Sequence, residues 1–293
     1  MRHVYECPMR WADLDLLGHV NNVTYVDYLQ EARVDLLRHH GPAATAQTGL
    51  VEGVVVVRHE VRYVAPLLFE AETVSIEVWV TEVRAASFTL AYEVFHEGDD
   101  GERRVYLRAS TLLTPYVFAT ERPRRLAPEE RAALEPYLEP AEAVRTRRVE
   151  PVRDELGHYP VHVRFSDVDV YGHTNNVKYF EYFQEARIRL FERLWSDLGS
   201  FGERPPVVVA QTDVDYAVPI LLRPEPYDAW SWISHVGTTS MTIEGEICDG
   251  DTVLSRARVV VVFLDPATGR PAAPPEDYAE RLRAAAEQAT RTS

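Results

Sequence analysis

Two aspartates, a glycine, a histidine and a pair of asparagines recur in the same order at two places in the chain. The pattern D-x-D-x-x-G-H-x-N-N is formed by Asp13, Asp15, Gly18, His19, Asn21 and Asn22, and again by Asp167, Asp169, Gly172, His173, Asn175 and Asn176. Carboxylates and imidazoles are groups that move protons or attack electrophilic carbon. An asparagine just ahead of an apolar periodic stretch caps a helix, and helix N-terminal amides have no partner within the helix and lie at its positive end. The amides near Asn22 with Val23, and Asn176 with Val177, therefore sit a few residues from Asp15 and Asp169. A carboxylate beside such amides is equipment for attack on a carbonyl and for holding the oxyanion that results.

The motif belongs to a longer repeat. Arg10 to Leu37 returns as Arg164 to Phe191 with more than half its positions identical, and RHEVRYVAPLL at Arg58 to Leu68 faces QTDVDYAVPIL at Gln211 to Leu221. Each unit opens with a short strand, Val4 to Met9 or Val161 to Phe165, and passes through the Asp-rich loop into a helix starting near Asn22 or Asn176. Val26, Leu29, Arg33 and Leu36, matched by Phe180, Phe183, Arg187 and Leu190, are spaced three and four apart on one helical face. Tyr25, Tyr28 and Ala32 widen that stripe, which predicts a helix buried on most sides. Glu31 with Arg33, and Glu185 with Arg187, lie in this apolar setting, where an isolated charge is costly, so a pair or network across the two units is expected, with an acid/base role for the Glu as the alternative.

Four long β-branched segments follow in each unit. They run Val54 to Val64, Thr73 to Val83, Ser87 to Phe95 and Val105 to Thr114, then Val207 to Tyr216, Tyr227 to His235, Met241 to Cys248 and Val253 to Leu264. Their close spacing predicts an antiparallel sheet, and one helix with such a sheet is an α+β domain. The expected division is a first domain over 1–120, a linker with a short surface helix over 121–158, and a second domain with a C-terminal helix over 159–293. Arg145, Arg147 and Arg148 read as solvated linker.

With 293 residues, 46% of them hydrophobic, the chain can bury two cores. A net charge of −15 excludes a nucleic-acid binder, since no stretch is basic enough to follow a phosphate backbone. The longest aliphatic runs are strand-sized and the N-terminus has no signal-like apolar run, so a soluble cytoplasmic chain without a membrane partner is expected. Cys7 and Cys248 do not correspond between the repeats, which points to neither a disulfide framework nor a metal site.

The order strand, D-x-D-x-x-G-H-x-N-N, helix ending in Q-E-A-R, then four strands resembles the hotdog fold, in particular its 4-hydroxybenzoyl-CoA thioesterase-like branch. The resemblance implies two tandem hotdog domains, each a long buried helix wrapped by an antiparallel sheet, fused into an intramolecular pseudo-dimer with sites where the units meet. Further homo-oligomers of such pseudo-dimers fit the same family. Acyl-ACP thioesterases are more distantly similar: their D-x-N-x-H matches at Asp15 with His19 and Asp169 with His173, but Leu17 and Tyr171 replace the Asn. Pro66 with Leu67, and Pro219 with Ile220, stand near where those enzymes carry a Glu-Cys pair.

The resemblance implies an acyl-CoA thioesterase in which Asp15 and Asp169 act as general base or nucleophile, CoA is part of the substrate, and no metal or organic cofactor is needed. Catalytic candidates are Asp15, Asp169, His19 and His173; Asn22, Asn176, Val23 and Val177 are substrate-binding or oxyanion candidates, with Gly18 and Gly172 shaping the loop. Asp13 and Asp167 read as structural. Tyr28, Tyr182 and Phe183 are expected to set pocket depth, and Arg122, Arg124 and Arg125 form the one compact basic run that an acidic carrier protein would use. Rival readings are an acyl-ACP thioesterase, a 3-hydroxyacyl-thioester dehydratase or hydratase, and a non-catalytic acyl-thioester-binding protein.

Overall fold

The structure, a computed structural model, describes residues 1–40, 52–98, 101–141, 149–196 and 205–291. The chain divides into two compact units, Met1–Val144 and Arg145–Ser293. Residues expected as a connector are thus shared between them, and Arg145, Arg147 and Arg148 lie outside the described residues.

In the first unit β1 (His3–Pro8) leads through the Asp loop to α1 (Thr24–His40), followed by β2 (Glu52–Tyr63), β3 (Thr73–Val83), β4 (Phe88–Glu97) and β5 (Arg103–Val117). A two-residue strand, β6 (Arg122–Pro123), and the short helix α2 (Pro128–Leu134) close it. The strands pair antiparallel in the order β1-β3-β4-β5-β2, with β6 on β5.

The second unit repeats the order with β7 (His158–Val161), α3 (Asn176–Leu194), β8 (Val207–Tyr216), β9 (Tyr227–Val236), β10 (Ser240–Asp249) and β11 (Thr252–Phe263), paired antiparallel as β7-β9-β10-β11-β8. A longer helix, α4 (Glu276–Arg291), ends it. The opening strand lies earlier than Val161 to Phe165. The alternating Val-His-Val-Arg run imitates a strand, but pairing stops at Val161 and Phe165–Asp167 already forms a 3-10 turn.

Both long helices are buried along one broad side, α1 through Tyr25, Val26, Tyr28, Leu29, Ala32, Arg33 and Leu36. Facing strand β3 buries Val74, Ile76, Val78 and Val80 completely, and each such side chain withdrawn from water contributes roughly 1.5–3 kcal/mol. A register shift interrupts β2–β5 at Val56/Arg58 and β8–β11 at Val260/Val261, the kind of bulge that bends a sheet.

Within the helices, Arg33 and Arg187 are buried while Glu31 and Glu185 are exposed. Residues two apart lie on different faces of a helix, so Glu31 and Arg33 do not face each other, and Arg33 Nη1 has no hydrogen-bond partner among the described residues. Among the described residues no helix is long and apolar enough to cross a membrane.

Candidate active site

The first aspartate of each motif is the anchor of its loop. Asp13 is 3% exposed; its carboxylate accepts from the Arg10 amide at 2.8 Å, the Arg10 Nε at 3.0 Å and the Tyr28 hydroxyl at 2.6 Å. Burial alone would raise its pKa, but the hydrogen bonds from Tyr28 and Arg10 outweigh it, so the carboxyl sits below the ordinary carboxylate value. Asp167, 4% exposed, accepts from the Arg164 amide at 2.9 Å and the Tyr182 hydroxyl at 2.8 Å. Both Asp backbone carbonyls then accept from the first Asn of the motif, Asn21 or Asn175, at 2.8 Å. Tyr28 and Tyr182 therefore hold the loop through their hydroxyls.

The second aspartate is held by one oxygen. Asp15 Oδ1 accepts from the Leu17 amide at 2.8 Å and more weakly from the His19 amide at 3.4 Å. Asp169 Oδ1 does the same with Tyr171 at 2.9 Å and His173 at 3.3 Å. Such side-chain-to-backbone turns orient a carboxylate within its own loop. Neither Oδ2 receives a hydrogen bond among the described residues, and both groups are part-exposed. Backbone bonds brace the turn: the Asp15 amide donates to His19 O at 2.8 Å and the Gly18 amide to Asp15 O at 3.0 Å, with 2.8 and 3.1 Å in the second copy.

Gly18 and Gly172 have φ of +75° and +83°, the left-handed region, and a Cβ there would meet nothing within 4 Å. Conformation rather than space demands glycine at these positions. His19 and His173 supply the backbone groups that close the turn, and the His19 imidazole makes no hydrogen bond among the described residues.

At the helix start the structure corrects the sequence reading. The caps are Asn21 and Asn175, whose Oδ1 atoms accept from the Val23 amide at 2.9 Å and the Val177 amide at 3.0 Å. Asn22 and Asn176 are one residue too far along, and the Val23 and Val177 amides, already used by the caps, are not open donors. The Asn22 amide donates to no described residue. Two tyrosines not singled out in the sequence complete this corner: Tyr63 donates to Asn22 O at 2.8 Å and Tyr216 to Asn176 O at 2.9 Å. Their signal was present, since the Tyr in RYVAPLL and DYAVPIL is retained in both repeats.

Cys7 and Cys248 are buried, and burial pushes both thiols up to about 12, so they are neutral and unsuited to attack. Arg124, in the basic run, is bound by Glu130 at 2.7 and 2.8 Å, while Arg122 and Arg125 are exposed. Among the described residues no group of three or more His, Cys, Asp or Glu is placed to hold a metal ion.

Comparisons with known proteins bear on the family and the fold. The thioesterase-like superfamily profile matches residues 9–136 and 163–282, one match per unit. The chain is 36% identical over 106 residues to the uncharacterized protein YsmA of Bacillus subtilis (strain 168), covering 34% of this chain and 68% of that one. It is 28% identical over 130 residues to the acyl-CoA thioester hydrolase YbgC of Escherichia coli O6:H1, covering 44% and 96%. A Lactobacillus plantarum protein assigned as an oleoyl thioesterase superposes with a TM-score of 0.73 at 16% identity, over 90% of this chain and 97% of that one, a likeness of fold. With the motif, the helix wrapped by its sheet and a family match in each half, the chain belongs to the thioesterase-like superfamily and is built from two tandem hotdog units.

Proposed function

We propose that the protein hydrolyses an acyl-CoA thioester to the free acid and CoA, with Asp15 and Asp169 as the acting carboxylates. The observation that carries this reading is the asymmetry of each carboxylate: Oδ1 is held by loop amides, while Oδ2 takes no bond from a described residue. As a general base, Oδ2 accepts a proton from water as that water attacks the thioester carbonyl. As a nucleophile, it attacks the carbonyl itself and forms an anhydride that water then cleaves. In either route negative charge moves to the carbonyl oxygen, where the Asn22 or Asn176 amide at the positive end of the helix is the proposed donor. The C–S bond then breaks and sulfur leaves as a thiolate, which needs little protonation. The reading uses no metal or organic cofactor, and CoA enters as part of the substrate.

Relatedness to YbgC, an acyl-CoA thioester hydrolase, favours CoA as the carrier. Arg124 is tied to Glu130, which weakens the basic run as a docking face for an acidic carrier protein. The test is release of free thiol, followed with a thiol reagent, from short, medium, long and aromatic acyl-CoAs and from the same acyl groups on acyl carrier protein. Turnover of one or more acyl-CoAs is expected. Turnover of carrier-protein substrates alone would replace CoA with that carrier. A change in enoyl-thioester absorbance without thiol release would indicate a hydratase, and stable retention of an intact thioester would indicate a binding protein.

A further inference from the structure

In each copy one peptide group is tied at both ends. On the nitrogen side, Val23 N–H and Val177 N–H donate to the capping oxygens of Asn21 and Asn175. On the carbonyl side, the oxygens of Asn22 and Asn176 accept from the Tyr63 and Tyr216 hydroxyls. A peptide is planar, so holding its N–H and its C=O fixes the whole plane. The peptide that carries the Asn22 N–H lies between this one and the Val20–Asn21 peptide, whose N–H is fixed by donation from the Asn21 amide to Asp13 O at 2.8 Å, with the φ and ψ of Asn21 between those two. Only the φ and ψ of Asn22 separate the peptide that carries its N–H from the one tied at both ends. The direction of the Asn22 N–H is therefore set by its neighbours on both sides.

The hydroxyl is not needed for packing. The Tyr63 ring meets Tyr25 edge-on at 5.7 Å and the Tyr216 ring meets Tyr179 at 4.9 Å, contacts a phenylalanine would keep. What a phenylalanine would lose is the bond to the carbonyl. In the first copy that bond substitutes for the helix: the Val26 amide, which a regular α-helix would aim at Asn22 O, donates to Val23 O at 2.9 Å instead. Both tyrosines close their strand, β2 or β8, and reach back about 40 residues to the helix start, 41 in one copy and 40 in the other.

We infer that Tyr63 and Tyr216 are positioning residues for thioester hydrolysis. Their hydroxyls set the plane of the first peptide of the buried helix, and so aim the Asn22 and Asn176 amides at the oxyanion. The inference rests on the hydrolase reading above. Oxyanion donors act by being aimed where charge develops, so misaiming them slows the chemical step more than it weakens substrate binding.

The experiment measures kcat and KM for one acyl-CoA with wild type, with the Tyr63→Phe, Tyr216→Phe variant and with the Asp15→Ala, Asp169→Ala variant. For the tyrosine variant kcat is expected to fall about tenfold, less than the 10²–10³ lost when such a donor is removed outright, with KM within about twofold. The same protein is tested for binding of a trifluoromethyl-ketone analogue, which presents a tetrahedral oxyanion, and of a thioether analogue of the same acyl-CoA. The ratio of the two affinities should fall by the same factor, and it does not depend on how much of the variant is folded. A kcat within about twofold of wild type, a rise in KM alone, or an unchanged affinity ratio would overturn the inference while leaving the hydrolase reading intact. Undiminished turnover in the aspartate variant would instead overturn the hydrolase reading, and this inference with it.

Discussion

The two Asp loops have nearly the same hydrogen-bond skeleton and different walls. Equivalent backbone and turn distances agree within 0.1 Å: 2.8 and 2.9 Å at the Oδ1 turn, 3.0 and 3.1 Å at the glycine, 2.8 and 2.9 Å at the strand tyrosine. Around this frame Leu17 stands against Tyr171, Thr24 against Lys178 and Val20 against Thr174, whose buried Oγ1 has no hydrogen-bond partner among the described residues. Asp13 carries an ion pair from Arg10 at 2.9 Å, which Arg164 does not make to Asp167 among the described residues. Deeper in, the fully buried Tyr92 of β4 corresponds to Gly245 of β10, where an added Cβ would stand 3.1 Å from the Phe183 ring; the repeat matches Phe183 with Leu29. One copy takes its aromatic ring from the strand and the other from the helix. The hydrogen-bond frame of the loops is kept while the groups around it have drifted, as the proposed hydrolysis at both loops with unequal acyl preferences would require.

Inactivating one copy at a time separates the two loops most strongly. Asp15→Ala leaves only the second loop and Asp169→Ala only the first, so each is expected to retain a different part of the wild-type acyl-CoA profile, with losses of 10²-fold or more on the acyl groups served by the missing carboxylate. Identical residual profiles would mean that the wall differences do not reach the substrate. Next comes the exchanged ring. Tyr92→Ala is expected to lower unfolding free energy by about 3–5 kcal/mol through the cavity it leaves. Gly245→Val should cost about 1–3 kcal/mol by crowding Phe183, and much of that loss should return when Phe183→Leu is added. Urea melts of the single and double variants measure both.

The loop anchors give a smaller, pH-dependent difference. Asp13→Asn should cost about 1–3 kcal/mol at neutral pH, the range for a hydrogen-bonded buried charge, and more than Asp167→Asn, which lacks the arginine. Because the folded pKa of Asp13 lies below its unfolded value of roughly 3.9, its stabilisation is present above that value and fades as pH falls through the folded one. Acid titration of the wild type should therefore show a loss that Asp13→Asn flattens. Smallest of all, Asn21→Ala or Asn175→Ala should each lower stability by about 1 kcal/mol as the cap is lost, whereas Asn22→Ala should leave the cap in place. Thermal melts separate these cases.

Most of the framework was legible because it follows from local chemistry. Thr73–Val83 and Val207–Tyr216 fall where their β-branched runs place them, and the stripe through Val26, Leu29 and Leu36 is the buried side of α1. The opening strand of the second unit was misplaced because alternation continues past the point where pairing partners end. The cap was misplaced by one residue because an Asn-Asn doublet offers two side chains with the same chemistry, and only the chain direction at the loop decides which reaches the Val23 amide. For Tyr63 and Tyr216 the repeat marks the residues as kept, but not what their hydroxyls bind. A hydroxyl on a strand and a carbonyl 41 or 40 residues earlier meet only in the folded domain, and no periodicity announces such a contact.

The central claim is that the two Asp loops perform the hydrolysis, and the most direct measurement is the rate of CoA release by the purified Asp15→Ala, Asp169→Ala variant beside wild type on the best acyl-CoA substrate, with circular dichroism to show that both are folded. The account predicts release by wild type and a rate at the uncatalysed background for the folded variant. A folded double variant that releases CoA at the wild-type rate would contradict it.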